Sequence, residues 1–427
     1  MKVLNFFIFL LAVLIFTSCK GRVSSNELTY WSSNNPEEAE FAKKSIARWN
    51  ASHPGQPIHS QPIPEGQSSE ETILAAVVGQ TTPDIYANIW QGAVEDYARA
   101  GVLVPFDTLN GFMEFISERC DRSVIQEVTS SDGHIYQIPW KINPIMMMYN
   151  PRLFKAAGID SIPATYSEFI TAAKKIKADR NGDGYVDRWI GSTEVSVIWW
   201  QRLFNFYPLY LAASGGKPLV KDGKAVFDNK YAVGVFAFLQ ELYRNDYFPK
   251  EQMKGQSDPF LGERIALKFT GPWAIAQVNI FKPEGFDYDF HPMPVPADRE
   301  GPIYTYGDPK NIVIFNTCQN PEEAWQFLKT LISEEGDYEF LELSGQLPRR
   351  KDLLTNSRFR AFFESHPKLK PFAEQAKYVR GMDNSTNLKE VLDLISQEYE
   401  ASVVYGKKSP EQAVKDDAHA VNLLFLK

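Results

Sequence analysis

The chain is poor in the residues from which reactive centres are most often assembled. Its 427 residues hold three cysteines and six histidines, scattered without a CxxC pair or an HExxH helix. G-x-S-x-G elbows, Walker loops and a G-x-G-x-x-G opening a helix are missing as well. Motif-borne zinc, serine-hydrolase, P-loop and dinucleotide chemistry are therefore not supported. Charge of one sign is also never concentrated: 45 Lys and Arg against 53 Asp and Glu leave a net charge of −8 without a long like-charged run. A nucleic acid or an anionic membrane surface as main partner would demand a basic patch, so both are disfavoured and a neutral ligand stays open. Among the 53 carboxylates no spacing singles out a glycosidase pair, which would need about 5 to 9.5 Å between its members. The chain reads as a non-enzymatic binder, with a secreted glycoside hydrolase using an aromatic cleft as the alternative.

The apolar run at the amino terminus, Phe6 to Phe16, has eleven residues, too few for a bilayer that needs about 20. Met1-Lys2 before it and Thr17-Ser18-Cys19 after it complete the charged, apolar and small-residue order of a secretory signal. Phe16-Thr17-Ser18-Cys19 resembles a bacterial lipobox, although phenylalanine stands where leucine is usual. The resemblance implies a signal peptide over 1–18, a lipid such as palmitate on Cys19, a polar tether over 19–27, and attachment to the membrane through that anchor only. A signal peptide cut elsewhere near Ser18 is the alternative. The location implied is the cell envelope, extracytoplasmic, periplasmic or at the cell surface. Cys120 and Cys318, far apart and without metal spacing, are read as free buried thiols.

With 44% hydrophobic residues the chain has material for two or more cores, at roughly 100 to 200 residues per domain. Leu28 to Trp31 reads as a strand, and Asn35-Pro36-Glu37-Glu38 starts a helix with a cap, a proline in the first turn and acidic residues at its positive end. Ile58 to Ile63 is a second strand, a helix capped by Ser68 or Ser69 ends at Gly79, and Tyr86 to Trp90 is a third strand. The order is that of an α/β sheet, whose crevice lies at the carboxyl ends of the strands.

One pattern looks like a metal loop. Asp179, Asn181, Asp183, Tyr185 through its carbonyl, and Asp187 stand at positions 1, 3, 5, 7 and 9 of an EF-hand spacing, with Gly184 at 6. Position 12 is Ile190, not glutamate, so Glu194 or a distant carboxylate would have to close the site. A structural calcium ion and an ion-free turn are both open; no other cofactor is called for.

Aromatic residues are plentiful, and one is punctuated by a turn: Ala266 to Ile275 ends an apolar run at Gly271-Pro272 and places Trp273 directly after it. Such an indole is either a core residue or a flat face for a sugar ring. Several stretches resemble the extracellular solute-binding proteins, maltose-binding-protein-like receptors that feed ABC importers. Gly79 to Asp84 matches G-x-x-x-P-D, Leu103 to Asp107 is similar to L-x-P-L-D, Gly133 to Pro139 to G-x-x-Y-x-x-P, Ala266 to Trp273 to A-x-x-x-x-G-P-W, and Gly345 to Arg350 to G-x-L-P-x-R. The resemblance implies a two-lobed, type II periplasmic-binding-protein α/β fold, each lobe a sheet flanked by helices and joined by a hinge. It places residues 28–140 plus 304–343 in one lobe and 141–303 plus 344–427 in the other. It implies a carbohydrate ligand between them, held by Trp31, Asp84, Asn88, Trp90, Gln91, Trp140, one of Trp199 and Trp200, Trp273, Tyr306, Gly307, Asp308 and Arg349. The partners implied are ABC transporter permease subunits, met by a monomer. Val195 to Trp200 resembles a substrate-domain helix, where adjacent tryptophans, about 100° apart, cannot share one face.

Overall fold

The computed structural model describes residues 27–66, 68–251, 253 and 258–426. The signal segment 1–18, Cys19 and the tether up to residue 26 lie outside the described residues.

The strands, in chain order, are β1 (Leu28–Ser32), β2 (Ile58–Pro62), β3 (Ile85–Trp90), β4 (Ile138–Ile142), β5 (Met146–Tyr149), β6 (Val220–Lys221), β7 (Lys224–Ala225), β8 (Leu267–Thr270), β9 (Asp289–His291), β10 (Thr305–Tyr306), β11 (Lys310–Ile314), β12 (Leu347–Pro348) and β13 (Val379–Arg380). Local sequence starts the first units. Asn35 accepts from the Glu38 N–H at 2.9 Å and Pro36 occupies the first turn of the helix Pro36–Ser52, where no N–H is needed. Ser68 accepts from the Glu71 N–H at 3.1 Å and opens the helix Ser69–Val78, which ends at Gly79. The connecting helices make β1 parallel to both β2 and β3, with Leu28 opposite Ile58 and Tyr30 opposite Ile85.

Six strands form the larger sheet in the order β12-β4-β11-β3-β1-β2, and β11 runs antiparallel to both β3 and β4. Both faces are covered. Leu28, Tyr30, Ile85, Ala87, Ile312 and Ile314 share one core with the helices Pro36–Ser52 and Pro321–Leu331. Tyr86 and Val313 point to the other core, with Ile63 and Ile73. This is the period of two that a strand imposes. The smaller sheet has the order β8-β5-β9 and is antiparallel. Its Met146 and Met148 pack on one side and Met147 on the other, a use of unbranched side chains to fill two irregular cores.

The chain leaves the larger sheet between β4 and β5, through Asn143-Pro144-Ile145. The pairing of Leu347 with Ile142 and of Pro348 with Lys141 keeps β12 in the larger sheet. The larger sheet thus includes β4 to Ile142 and β12 to Pro348. Thr305 and Tyr306 pair with Val379 and Arg380 in a separate two-stranded sheet. Val195 to Ile198 is irregular and only Trp199–Leu203 forms a 3-10 turn. The β-branched run is a poor helix former, and the Ser196 N–H is taken by the Glu194 carboxylate at 3.0 Å. Among the described residues no helix is long and apolar enough to cross a membrane. Cys120 and Cys318 are free and buried.

One buried ion pair ties the edge of the larger sheet together. Arg119 donates from Nε and Nη2 to the two oxygens of Asp337 at 2.8 and 2.9 Å. Its remaining N–H groups reach the carbonyls of Pro139, Trp140 and Arg349. Asp337 also accepts from Arg350 at 3.0 Å. Asp337→Ala should lower stability by about 3–5 kcal/mol, since it strands a buried guanidinium; urea unfolding monitored by circular dichroism measures this, and a loss below about 1 kcal/mol would contradict the account.

Candidate functional site

The parallel strands β1 and β3 end side by side, and Trp90 at the end of β3 packs against Trp199 and Tyr306. Trp90, the last residue of β3, folds its indole over the next turn: a Cβ on Gly92 would fall 2.4 Å from Trp90 Cζ2. The same device recurs opposite. Trp273, first residue of the helix Trp273–Phe281, lies over Gly271, where a Cβ would fall 2.1 Å from its Cζ3. In each case the missing side chain lets an indole lie against the backbone.

The rings that meet here come from separate segments: Trp90 from β3, Trp199 from the 3-10 turn, Tyr306 from β10 and Trp273 from the helix after β8. Trp90 contacts Trp199 at 4.8 Å between centroids, tilted by 48°. Phe204 stands edge-on to Trp273 at 5.9 Å and to Tyr306 at 6.5 Å. Trp90 Nε1–H donates to the Tyr306 hydroxyl at 3.2 Å, and that hydroxyl donates to Asp308 at 3.4 Å. Burial, with the carboxylate of Asp308 beside it, holds the Tyr306 phenol well above its usual range, so it stays a donor at all physiological pH. Trp199 and Trp273 are half-buried, whereas Trp200 is 41% exposed. Of the adjacent pair, Trp199 is the one that meets Trp90.

A polar floor runs beside the rings. Lys310 Nζ lies 3.7 Å from Glu70 and 4.0 Å from Asp308. Burial disfavours its charge, but the carboxylates of Asp308 and Glu70 outweigh that and raise its pKa. Further along, Lys141 is paired with Glu38, both nearly inaccessible. Burial lowers the Lys141 pKa, with Glu38 opposing it. Glu38 also accepts from Gln346 at 2.6 Å and from Ser33 at 2.7 Å, while Asn143 donates to Gln346 at 3.1 Å. Glu38, Lys141, Asn143 and Gln346 escaped the sequence reading. Glu38 reads there only as a first-turn acid, and nothing in sequence joins it to a lysine more than a hundred positions away.

The other sequence-named residues divide. Trp31 and Asn88 are half-buried at the carboxyl ends of β1 and β3. Gly307 presents backbone: its carbonyl accepts from the Asn143 N–H, and its N–H donates to Arg380 O at 2.9 Å. Asp308 follows with φ of 37°. Gln91 donates to the Met382 carbonyl at 3.3 Å, and Arg349 to Glu127 at 2.7 Å, so both bridge segments beside the crevice. Two assignments are corrected. Trp140 is 1% exposed and packs on Phe340 at 4.8 Å, because its place in β4 points it into the core. Asp84 precedes β3, at the end of the strand away from the crevice, and accepts from the Thr29 N–H and hydroxyl, both at 2.7 Å; it pins β1 to β3.

In the loop 179–187 the expected ligand side chains make local bonds. Asp179 accepts from the N–H groups of Gly182 and Gly184 at 2.7 and 2.8 Å, Asn181 and Asp183 from those of Asp183 and Tyr185, and Asp187 is held by Arg180 at 3.0 Å. Tyr185 is exposed, Ile190 is core, and among the described residues no three His, Cys, Asp or Glu side chains group as metal ligands. The local bonds are those of Asx turns.

Two separate sheets, each packed against helices and joined by several chain crossings, define the two-lobed, type II periplasmic-binding-protein fold of solute-binding proteins. The chain belongs to the bacterial extracellular solute-binding protein family, whose model matches residues 33–338. It is similar to an uncharacterized protein of Listeria monocytogenes of known structure, at 27% identity and a TM-score of 0.82 over 94% of this chain and all of that one. It is also similar to the sugar-binding protein MalE of Xanthomonas citri, with 18% identity and a TM-score of 0.77 over 94% of this chain and 97% of that one. The sn-glycerol-3-phosphate-binding periplasmic protein of Escherichia coli K12 is 25% identical, covering 69% of this chain and 68% of that protein.

The seating of the indoles has a measurable sign. A glycine-to-alanine change at a compatible helix position stabilises by about 0.4–1 kcal/mol, and Gly234, which has nothing within 4 Å, should follow that rule. Gly92→Ala and Gly271→Ala should instead destabilise by about 1–3 kcal/mol through overpacking. Urea midpoints of the three variants decide it, and stabilisation at Gly92 or Gly271 would refute the seating.

Proposed function

We propose that this protein binds a sugar or oligosaccharide in the crevice between its lobes and hands it to an ABC importer. The observation that carries the reading is the pair of half-buried indoles Trp199 and Trp273, with Trp90 buried against Trp199 and Phe204 edge-on to Trp273. Rigid indoles offer flat apolar faces to the C–H side of a pyranose at little entropic cost. Asn88, Asp308, Lys310 and Glu70 supply hydrogen-bonding groups for hydroxyls at the edge of those faces. A ligand that touches both bodies favours closure by its differential affinity, and the closed form is what permease subunits read. The sugar-binding neighbour supports the ligand class, and the glycerol-phosphate-binding relative makes a phosphorylated polyol the comparison compound. A nutrient receptor of micromolar affinity gains about −8 kcal/mol.

A thermal-shift panel of mono- and oligosaccharides with sn-glycerol 3-phosphate tests the ligand. A ligand at 100 times its Kd stabilises the native state by about 2.7 kcal/mol. A sugar should raise Tm and be recovered intact; a shift only with glycerol phosphate, or catalytic release of reducing sugar, would overturn the reading.

The anchor is part of the same proposal. Receptors that serve a permease gain from being held at the membrane, and Cys19 would provide that without a spanning helix. Cys19→Ala should move the mature protein from the membrane to the soluble fraction; unchanged partitioning after cell fractionation would exclude the anchor.

A further inference from the structure

The turn that carries Trp199 is anchored by a buried cation. Arg202 is inaccessible to solvent and stands three residues after Trp199 in the 3-10 turn Trp199–Leu203. Such a helix has three residues per turn, so side chains three apart lie one above the other. Holding Arg202 therefore sets the direction of Trp199, while Trp200, about a third of a turn away, is left exposed.

The guanidinium is clamped from two sides. It lies 3.9 Å from the ring centroid of Tyr399, the first residue of the π-helical turn Tyr399–Val404. Its Nη2 donates to the carbonyls of Glu194 and Ser196 at 3.0 and 3.2 Å, which ties down the irregular segment leading into the turn. Nε and Nη1 have no hydrogen-bond partner, and the aromatic face offsets the charge they carry. Two further contacts converge on the same segment. The Ser396 hydroxyl donates to the Ile198 carbonyl at 3.1 Å, and the Thr193 hydroxyl lies 2.9 Å from that of Tyr399 and 2.7 Å from that of Tyr243. Arginine suits this place because one planar group can lie on a ring and donate within its own plane, whereas a lysine ammonium is a point charge.

We propose that Arg202, held between the Tyr399 ring and the carbonyls of Glu194 and Ser196, is the positioning residue that sets the Trp199 indole against Trp90 before any ligand arrives. Its value to binding rests on the carbohydrate reading of the crevice: a platform set in advance loses little freedom when a sugar lands on it.

Ultraviolet circular dichroism of the ligand-free protein tests the positioning. Indoles 4.8 Å apart and tilted by 48° couple their transition dipoles and give two bands of opposite sign, a couplet that Trp90→Phe should abolish and thereby assign. Arg202→Met should reduce it by roughly half or more with the helical signal kept, and so should Arg202→Lys, which keeps the charge but not the fork. Tyr399→Phe, which keeps the ring, should retain the couplet. A spectrum that Trp90→Phe leaves unchanged, a full couplet in both Arg202 variants, or its loss in Tyr399→Phe would each overturn the proposal. Failure of both Arg202 variants to fold would overturn it too, by making the residue a determinant of folding alone. Loss of the couplet in the Arg202 variants of a protein that binds no sugar would sink the carbohydrate reading and leave the positioning intact.

Discussion

The guanidinium of Arg119 is the point from which the geometry of the hinge follows. Each of its five N–H groups has an acceptor in reach, and those acceptors belong to three separate stretches of chain: β4, the residue after β12, and Asp337 on the helix Glu334–Ser344. The short β12 has only two residue pairs with β4, and Arg119 adds bonds to the carbonyls on both sides of that edge. With it, β4 and β12 are fixed side by side, and the residues at their upper ends, Asn143 and Gln346, are delivered to the same place. Arginine suits the task because its fork is planar, permanently charged and rigid.

From that fixed edge the crevice is built in two materials. The polar part, Glu38 with Lys141, Ser33 and Gln346, is preorganised and dehydrated, so it positions the floor without exposing free charge. The aromatic part is supplied from opposite sides, by β3 and by the segments after Ile198 and Pro272, and is held by close approach to glycine backbone. Platforms held this way lose little freedom when a ligand arrives, which is what binding without chemistry requires. The phenol of Tyr306 joins the two parts, donating to Asp308 and accepting from Trp90.

Much of this architecture was legible beforehand wherever a local rule governs. The caps at Asn35 and Ser68, the end at Gly79 and the turn before Trp273 are decided within a few residues by hydrogen-bonding geometry and side-chain period. Along Val195 to Ile198 the family likeness implies a helix, but the β-branched residues there disfavour one and the path is irregular. The core position of Trp140 has a different reason. Along a strand buried on both faces, alternation no longer distinguishes a crevice side from a core side.

By itself the sequence determined the succession of strands and helices, the export signal pattern, the lack of catalytic motifs and the family, since each rests on residue types or on spacing along the chain. The tertiary structure alone decided which of the tryptophans meet, that Glu38 finds Lys141, that Asp84 serves the far end of the sheet, and that Arg202 reaches the ring of Tyr399. Those facts depend on contacts between segments more than a hundred residues apart in several cases. Such contacts are selected by packing and charge pairing in three dimensions, and spacing along a chain carries no record of them.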